Sequence, residues 1–302
     1  MGLNLKAPRG APNAAKAGEE AAATLLGTAA RVLMCAPTHY RVDYTINPWM
    51  ENQIGKADNA LAIRQWTNLA RLLAREAELA FVAPAPGLPD MVFAANAGLA
   101  IGGTAVVSHF ATKEREPEER PFRAWFEAEG FEIAPWPWDI AFEGAGDALL
   151  DNSRSLIWCG HGWRSSAAAV ALLETIFARR VVGLRLVDPR FYHLDTCFCP
   201  LSNGEVMYYP AAFDAESQER IERQYPAAKR ICVSAWDALR FACNAINIGK
   251  AILVNQISNE LYARLQSLGY SVTQVELTEF LKAGGAAKCL ALRLSEMNVT
   301  HR

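Results

Sequence analysis

The stretch AINIGKAILVNQISNELYARLQSLGYSVTQV, residues 245–275, contains one complete copy of a pattern that organises the chain. Two short apolar segments meet at Gly249-Lys250, as two strands meet at a tight turn. A helix is predicted from Ser258 to Leu268, and a closing strand from Tyr270 to Val275. The stretch therefore predicts a module of two strands, a helix and a third strand.

Three earlier copies of this module and one partial copy lie outside this stretch. The complete copies begin near Gly98, Ala148 and Thr196. In the copy that begins near Ala148, a helix is predicted from Ser165 to about Arg180, with Ser165 and Ser166 able to cap it. The partial copy starts at Lys288, and the chain ends before its helix. A predicted strand at Arg31–Ala36 and a predicted helix at Asp58–Arg75 can supply the missing parts. The two ends of the chain would then share one module and close a ring.

The spacing of polar residues gives the period of the repeat. Polar landmarks recur at intervals of roughly 45 to 50 residues, a period typical of a propeller or another repeat array. They are Asn96, Asp147, Asp195, Asn244 and Cys289. Alternating strands and helices would also fit a doubly wound sheet, so both folds stay open on the period alone. In a five-module propeller, the polar starts of the first strands would converge on one central pocket.

Length, charge and cysteine content bound the class of protein. The 302 residues are 51% hydrophobic and can bury a sizeable core, with residues 1–30 interpreted as a flexible Ala-rich tail and 31–302 as a single domain. A net charge of -2 offers no basic field for nucleic acid or an anionic membrane, and no apolar run reaches the roughly 20 residues that span a bilayer. Seven widely spaced cysteines are typical of a reducing compartment, so we predict a cytoplasmic protein, with a homo-oligomer left open.

Two acidic segments are candidate sites. Glu143 and Asp147 flank a Gly-Ala-Gly loop that suits close approach of a cationic ligand, although an acidic surface turn would have the same composition. In an extended segment, His193 and Asp195 would point to the same side, so one can transfer protons while the other receives a cation. A lone histidine is more often structural, and the neighbouring carboxylate makes His193 a candidate.

Cys289 is the candidate nucleophile among the seven cysteines. It follows a loop of small residues, and Lys282 and Lys288 are expected to lower its pKa. The pair Cys197 and Cys199 has the C-x-C spacing of some metal ligands. No second Cys or His pair at ligand spacing accompanies it, so we predict core packing and no metal.

Six sequence segments resemble the guanidino-group-modifying, or amidinotransferase, superfamily, which includes arginine deiminases and dimethylarginine dimethylaminohydrolases. They are YTINPWM (44–50), FAANAG (93–98), KER (113–115), FEGAGDALLD (142–151), FYHLDTCFCP (191–200) and FLKAGGAAKCL (280–290). The resemblance covers the chain from about Val32 to Leu294 and is closest to arginine dihydrolases. It implies a five-bladed α/β propeller, or pentein, of pseudo-fivefold ββαβ modules, and no cofactor is expected.

The resemblance also implies roles for eight residues. Carried over by position, the catalytic set is Cys289 (nucleophile), His193 (acid and base) and Glu143, and the substrate-binding set is Asn47, Asn96, Arg115, Asp147 and Asp195. Glu143 and Asp195 would hold the guanidinium nitrogens, and Arg115 would clamp the α-carboxylate. Arginine deiminases usually have Asp where this chain has Asn96, so the resemblance favours a dihydrolase.

The implied reaction converts arginine to ornithine, ammonia and carbon dioxide through a covalent thiouronium on Cys289. Two rounds of attack are needed, and the neutral Asn96 suits the uncharged ureido group of the second round better than a carboxylate would. The alternatives are a deiminase or dimethylarginine dimethylaminohydrolase that stops at citrulline, an amidinotransferase that needs an amine acceptor, and a non-catalytic arginine-binding module. All of them predict a small molecule as the partner.

Overall fold

Five three-stranded sheets with accompanying helices make up the described part of the protein. The computed structural model describes residues 30–294. The strands are β1 (Ala30–Cys35), β2 (Ala77–Val82), β3 (Gly98–Ile101), β4 (Thr104–Val107), β5 (Glu132–Ile133), β6 (Ala148–Asp151), β7 (Leu156–His161), β8 (Arg180–Arg185), β9 (Phe198–Pro200), β10 (Val206–Tyr208), β11 (Arg230–Cys232), β12 (Ile246–Ile248), β13 (Ala251–Val254), β14 (Ser271–Gln274) and β15 (Leu292–Arg293). The helices are α1 (Asn59–Leu73), α2 (Glu119–Ala128), α3 (Ala169–Phe177), α4 (Ala215–Gln224), α5 (Ala235–Ala238), α6 (Asn259–Ser267) and α7 (Thr278–Leu281).

All five sheets share one topology. The middle strand of each pairs antiparallel with one neighbour and parallel with the other. We name the sheets and their helices modules I to V, with strand orders β15-β1-β2, β3-β4-β5, β6-β7-β8, β9-β10-β11 and β12-β13-β14. In module I, Val32 pairs with Arg293. The prediction that the two ends of the chain share one module is therefore confirmed.

Helices α1 and α6 begin where side chains satisfy their first backbone N–H groups. The Asp58 carboxylate accepts a hydrogen bond from Leu61 N at 3.0 Å, and the Ser258 hydroxyl accepts one from Leu261 N at 3.2 Å. Both starts agree with the sequence prediction. Leu265 of α6 is fully buried, so the helix turns an apolar face toward its sheet.

The helix of module III is shorter than the sequence predicts. The prediction starts it at Ser165, whereas α3 begins at Ala169. The Ser165 hydroxyl instead donates to Asp147 Oδ2 at 2.6 Å and accepts from Glu143 N at 3.0 Å. A serine that can cap a helix is therefore used here to bind a buried carboxylate.

Hydrogen bonds join each module to the next. The five joints are Ala95 N to Cys289 O (3.0 Å, modules II and I), His109 N to Phe142 O (2.8 Å, II and III), Leu194 N to Asp147 Oδ1 (3.0 Å, IV and III), Asn244 Nδ2 to Asp195 O (3.1 Å, V and IV) and Lys288 N to Asn244 O (3.2 Å, I and V). A cavity of about 120 Å³ has a wall that includes Leu99, Leu149, Phe198, Ile246 and Arg293. These residues come from β3, β6, β9, β12 and β15, so one strand of every module faces a shared interior.

The described helices are short. The longest, α1, has 15 residues, and between residues 30 and 294 no helix combines the length and apolar character needed to cross a bilayer. The predicted flexible tail lies outside the described residues, apart from Ala30, which begins β1.

We expect Phe122→Ala to lower the free energy of unfolding by about 3 to 5 kcal/mol, because it empties a fully buried position packed with Val106 and Phe126. Phe81→Ala is the matched control, since its ring is 55% exposed, and it should change the same quantity by less than about 1 kcal/mol. Denaturant titration followed by circular dichroism measures both. Equal losses would contradict the packing of module II.

Candidate active site

A fully buried carboxylate holds a histidine and an arginine at the start of module III. Glu143 Oε2 lies 2.7 Å from His193 Nε2 and 3.0 Å from Arg164 Nη1. Burial opposes ionisation of Glu143, but Arg164 and the His193 bond outweigh it and hold the pKa of Glu143 well below its usual range. Burial lowers the pKa of His193 to about 4, although Glu143 acts in the opposite direction. At neutral pH, His193 is therefore an uncharged base beside an ionised carboxylate.

The Cys289 thiol lies against a second buried carboxylate. Its Sγ is 3.5 Å from Asp195 Oδ2, and the residue is 3% exposed. Burial raises the pKa of the Cys289 thiol well above its ordinary value, and Asp195 raises it further. Burial also raises the pKa of Asp195 to about 6, although Lys288 acts to lower it. The resting site therefore holds a protonated thiol beside a carboxylate that is mostly ionised at neutral pH.

The lysines near Cys289 do not set its protonation state, contrary to the sequence expectation. Lys288 acts to lower the pKa of Cys289, but burial and Asp195 outweigh it. Lys282 is paired elsewhere, with its Nζ 2.7 Å from Glu279 Oε2. A buried thiolate lacks the water that would stabilise its charge, so one neighbouring cation does not reverse the shift.

His193 and Asp195 reach the site through a turn. The backbone of His193 is extended, but Leu194–Thr196 forms a short 3-10 helix, so the assumption of one extended segment is wrong. Asp195 contacts the sulfur of Cys289, and His193 contacts Glu143. The imidazole from the middle of the chain therefore lies against Glu143, and the thiol from near the carboxyl end lies against Asp195, two residues after His193.

A narrow cavity opens beside the sulfur. Its wall includes Asn47, Asp90, Asn96, Arg115, Arg164, Tyr192 and Cys289. Four of the eight predicted residues are among them. Glu143 and Asp195 do not line the cavity but contact the lining residues Arg164 and Cys289. A small cavity with several charged groups suits a small charged ligand.

Arg115 and the two predicted asparagines already have protein partners. Arg115 donates to both carboxylate oxygens of Glu118, at 3.0 and 2.8 Å, and to Asn96 Oδ1 at 2.9 Å. Asn47 donates to Ala283 O at 3.1 Å. These side chains line the cavity, but much of their hydrogen-bonding capacity holds the wall together.

The position of Asp147 differs from its sequence assignment as a substrate-binding residue. It is fully buried outside the cavity wall, where its carboxylate accepts from Ser165 Oγ at 2.6 Å and from Leu194 N at 3.0 Å. Burial raises the pKa of Asp147 well above its ordinary value, against these two bonds. Because Leu194 follows His193, Asp147 fixes the turn that carries the imidazole.

Sequence reasoning missed four residues at the site, Asp90, Arg164, Tyr192 and Asn244. Only Asn244 gave a signal, as one of the regularly spaced polar landmarks. Asp90 is 2% exposed, and its Oδ2 accepts from Tyr44 OH at 2.9 Å. Its Oδ1 has no hydrogen-bond partner within residues 30–294. An unpartnered buried carboxylate oxygen on a cavity wall is an acceptor for a cationic group.

Glycine is required in the acidic loop. A Cβ at Gly146 would overlap Asn96 Nδ2 and lie 3.3 Å from His193 Cγ. Gly144 has φ +61, a conformation that residues with a side chain rarely adopt. The loop can therefore pack directly against two of the predicted site residues.

Comparison with known proteins identifies the family. The sequence profile described as N,N dimethylarginine dimethylhydrolase, eukaryotic, matches residues 40–295, and the chain belongs to this family.

Particular relatives narrow the comparison. The chain is 51% identical over 266 residues to the bifunctional arginine dihydrolase/ornithine cyclodeaminase ArgZ of Synechocystis sp.; the match covers 88% of this chain and 38% of ArgZ, so the chain spans less than half of that relative. It is 36% identical to the N(G),N(G)-dimethylarginine dimethylaminohydrolase of Mycobacterium tuberculosis, over 87% of this chain and 85% of that protein.

A solved structure of the amino-terminal domain of ArgZ, a cyanobacterial arginine dihydrolase, is of a cysteine-to-serine mutant bound to substrate. It aligns with a TM-score of 0.88 at 50% identity, over 88% of this chain and 98% of that domain.

Gly146→Ala should destabilise the fold by about 1 to 3 kcal/mol and lower kcat/KM for the substrate by at least about tenfold, because the new methyl group displaces Asn96 and crowds His193. Gly103→Ala is the control, since a Cβ there meets no atom within 4 Å. Steady-state kinetics and denaturant titration measure the two effects. Wild-type kinetics in Gly146→Ala would show that the close packing of this loop is not needed.

In the absence of substrate, the alkylation rate of Cys289 by iodoacetamide should still be rising at pH 9, because burial and Asp195 keep the thiol protonated. Mass spectrometry of the Cys289 peptide measures the rate in a Cys232→Ser background, which removes the exposed cysteine. Cys289→Ala in the same background is the control. A rate that levels off below pH 8 would contradict a protonated resting thiol.

Proposed function

We propose that the protein is an arginine dihydrolase, which hydrolyses arginine to ornithine, two molecules of ammonia and carbon dioxide. The observation that carries the proposal is the Cys289 thiol, placed between the Asp195 carboxylate and a small cavity with charged walls. The neutral His193 is held by Glu143 and lies two residues before Asp195 in the chain, and we assign it as the base. The likeness to the ArgZ domain supports arginine as the substrate.

The α-ammonium and α-carboxylate groups of arginine have complementary partners at the cavity. The open Oδ1 of Asp90 suits the α-ammonium group. Arg164 donates one N–H group to the Glu143 carboxylate and another to Ile46 O, at 2.8 Å. Its other N–H groups can therefore donate to the α-carboxylate. Arg115 has fewer donors left, because Glu118 and Asn96 occupy most of them. We therefore add Arg164 to Arg115 as a carboxylate clamp.

Asp195 is the carboxylate best placed to hold the guanidinium beside the sulfur. Glu143 is less available for this role than the sequence implies, because Arg164 and His193 bind its Oε2 and Ala111 N donates to its Oε1. The arriving cation offsets the negative charge that keeps the thiol protonated. Substrate binding thus prepares the nucleophile in a site where the free thiol is inert.

The first half-reaction follows from these protonation states. Cys289 passes its proton to the neutral His193 as the sulfur bonds to the guanidinium carbon. His193 then gives that proton to a terminal nitrogen, the C–N bond breaks, and ammonia leaves a thiouronium on the sulfur. His193 next takes a proton from water as the oxygen bonds to the same carbon. The C–S bond breaks with its electron pair going to the sulfur, His193 returns its proton to the sulfur, and the ureido group is released as its O–H proton passes to water.

A second round completes the dihydrolase reaction. The sulfur attacks the ureido carbon and expels the second ammonia, and water then releases a carbamate, which loses carbon dioxide to leave ornithine. The ureido group is neutral, so an amide at position 96 avoids the repulsion that a carboxylate would exert on its oxygen. Asn96 lies on the cavity wall, where this difference would act.

The alternative is a reaction that stops at citrulline, as in a dimethylarginine dimethylaminohydrolase or a deiminase. The 36% identical mycobacterial relative supports this alternative. The reaction product separates the two, because only a dihydrolase forms ornithine without an added amine.

We also propose that modules I to V close into a five-bladed α/β propeller, the pentein fold. Hydrogen bonds at all five joints, including the joint between modules V and I, support closure. The cavity walled by one strand of every module supports it as well. Closure would bring the polar module starts together, which the site requires.

We propose a reducing compartment such as the cytoplasm, because all seven cysteines are free and six of them are buried. The proposed partner is the small-molecule substrate. A homo-oligomer, the absence of a cofactor or metal, and the limits of the catalytic domain stay predictions of the sequence.

Incubation with arginine labelled at the guanidino carbon tests the proposed reaction. Ornithine and labelled carbon dioxide should accumulate, as measured by mass spectrometry. Citrulline as the sole stable product would reject the dihydrolase and favour the alternative, and unchanged arginine would reject both.

Cys289→Ala tests the assigned nucleophile and should reduce turnover by at least about 1,000-fold, while calorimetry still detects arginine binding. Cys232→Ala, at the exposed cysteine, is the control and should keep wild-type turnover. Turnover that survives in Cys289→Ala would refute the assignment.

A further inference from the structure

Asn244 is a fully buried residue just before β12, and its side chain contacts the loop that carries Cys289. Its Nδ2 donates to Cys289 Sγ at 3.1 Å and to Asp195 O at 3.1 Å. Its Oδ1 accepts from Cys289 N and from Ala286 N, both at 3.1 Å. The amide thus uses both of its donors and both acceptor positions on the nucleophile, its loop and the segment of Asp195.

The contact with sulfur has a chemical consequence beyond packing. A hydrogen bond from an N–H group to sulfur favours the thiolate over the thiol. The charged and titratable groups around Cys289 are Asp195, Lys288 and Tyr192, and of these only Lys288 is a cation. Its Nζ is also bonded to Ala145 O, at 3.3 Å. Asn244 is the side chain that donates a hydrogen bond directly to the sulfur.

We propose that Asn244 is a further catalytic residue, whose amide N–H stabilises the Cys289 thiolate as it forms on substrate binding and again as it leaves the carbon. The proposal rests on the proposed function only in taking Cys289 as the nucleophile. The carbonyl oxygen of the same amide holds the backbone N–H groups of Ala286 and Cys289, so the donor and the nucleophile keep a fixed geometry.

An amide can donate to the sulfur and can also accept from the two backbone N–H groups of the loop. Aspartate has the same shape, but it would replace the donor with a second carboxylate beside Asp195. Leucine has a similar volume and neither donor nor charge. Comparing the two substitutions separates the loss of the hydrogen bond from the added negative charge.

The test measures iodoacetamide alkylation of Cys289 against pH, without arginine, in the Cys232→Ser background. We expect Asn244→Asp to slow alkylation at pH 9 by at least about tenfold, because it moves the thiol pKa upward by at least one unit. Asn244→Leu should slow it less, since it removes the donor without adding charge. Asn255→Asp is the matched control: Asn255 is also buried, follows β13 of the same module and donates to Arg240 O, and its variant should keep the wild-type profile.

Kinetics with arginine provide the second readout. Asn244→Asp should lower kcat by about 100-fold and change KM by less than about threefold, because it weakens the nucleophile more than the binding groups. Wild-type alkylation and kcat in a folded Asn244→Asp protein would overturn the proposal. If that variant fails to fold, Asn244→Leu decides by the same criteria, and failure of both to reach the wild-type circular dichroism spectrum would assign Asn244 a purely structural role.

The two proposals can fail separately. If the wild-type protein leaves arginine unchanged, the proposed function falls, but the alkylation profiles still decide the role of Asn244. If wild-type turnover occurs and the Asn244 variants match it, only the role of Asn244 falls.

Discussion

The buried ion pair between Glu143 and Arg164 is the interaction on which the site depends. Neither side chain is more than 5% exposed, and the same carboxylate oxygen also binds His193. A carboxylate buried alone would take up a proton, because it has lost the water that stabilises its charge. Arg164 keeps Glu143 ionised. The ionised carboxylate then fixes the orientation of an imidazole that burial keeps neutral, and a neutral imidazole can accept the proton of a thiol.

Burial also sets the protonation state of the nucleophile before a ligand binds. The Cys289 thiol beside Asp195 is protonated at rest, so it has little tendency to react with small electrophiles that reach the cavity. In the proposed reaction, a bound cation changes the local charge balance and allows the thiolate to form. The groups proposed to hold the cation would therefore also activate the nucleophile. Selectivity for guanidinium and reactivity of the sulfur would then depend on the same carboxylate, Asp195.

Much of the fold could be predicted from the sequence because the repeat is local. Short apolar strands, turns such as Gly249-Lys250 and capped helices such as α6 recur along the chain and are found where they are predicted. The misplaced elements have tertiary causes. The predicted start of α3 fails because Ser165 binds Asp147, which immediately precedes the first strand of the same module. The extended segment predicted at His193 fails because Asp147 also holds Leu194 N and fixes a turn there.

The sequence by itself determined the module pattern, the polar residue at each module start and the types of side chain available for chemistry. Tertiary structure alone decided which charges meet. Arg115 pairs with Glu118, Arg164 pairs with Glu143, and Asp90 keeps one oxygen open on the cavity wall. Burial sets the protonation states of Cys289 and His193, with Asp195 acting on the thiol and Glu143 on the imidazole. They cannot be predicted from sequence spacing, because burial and the distances between modules arise only after the strands pack together.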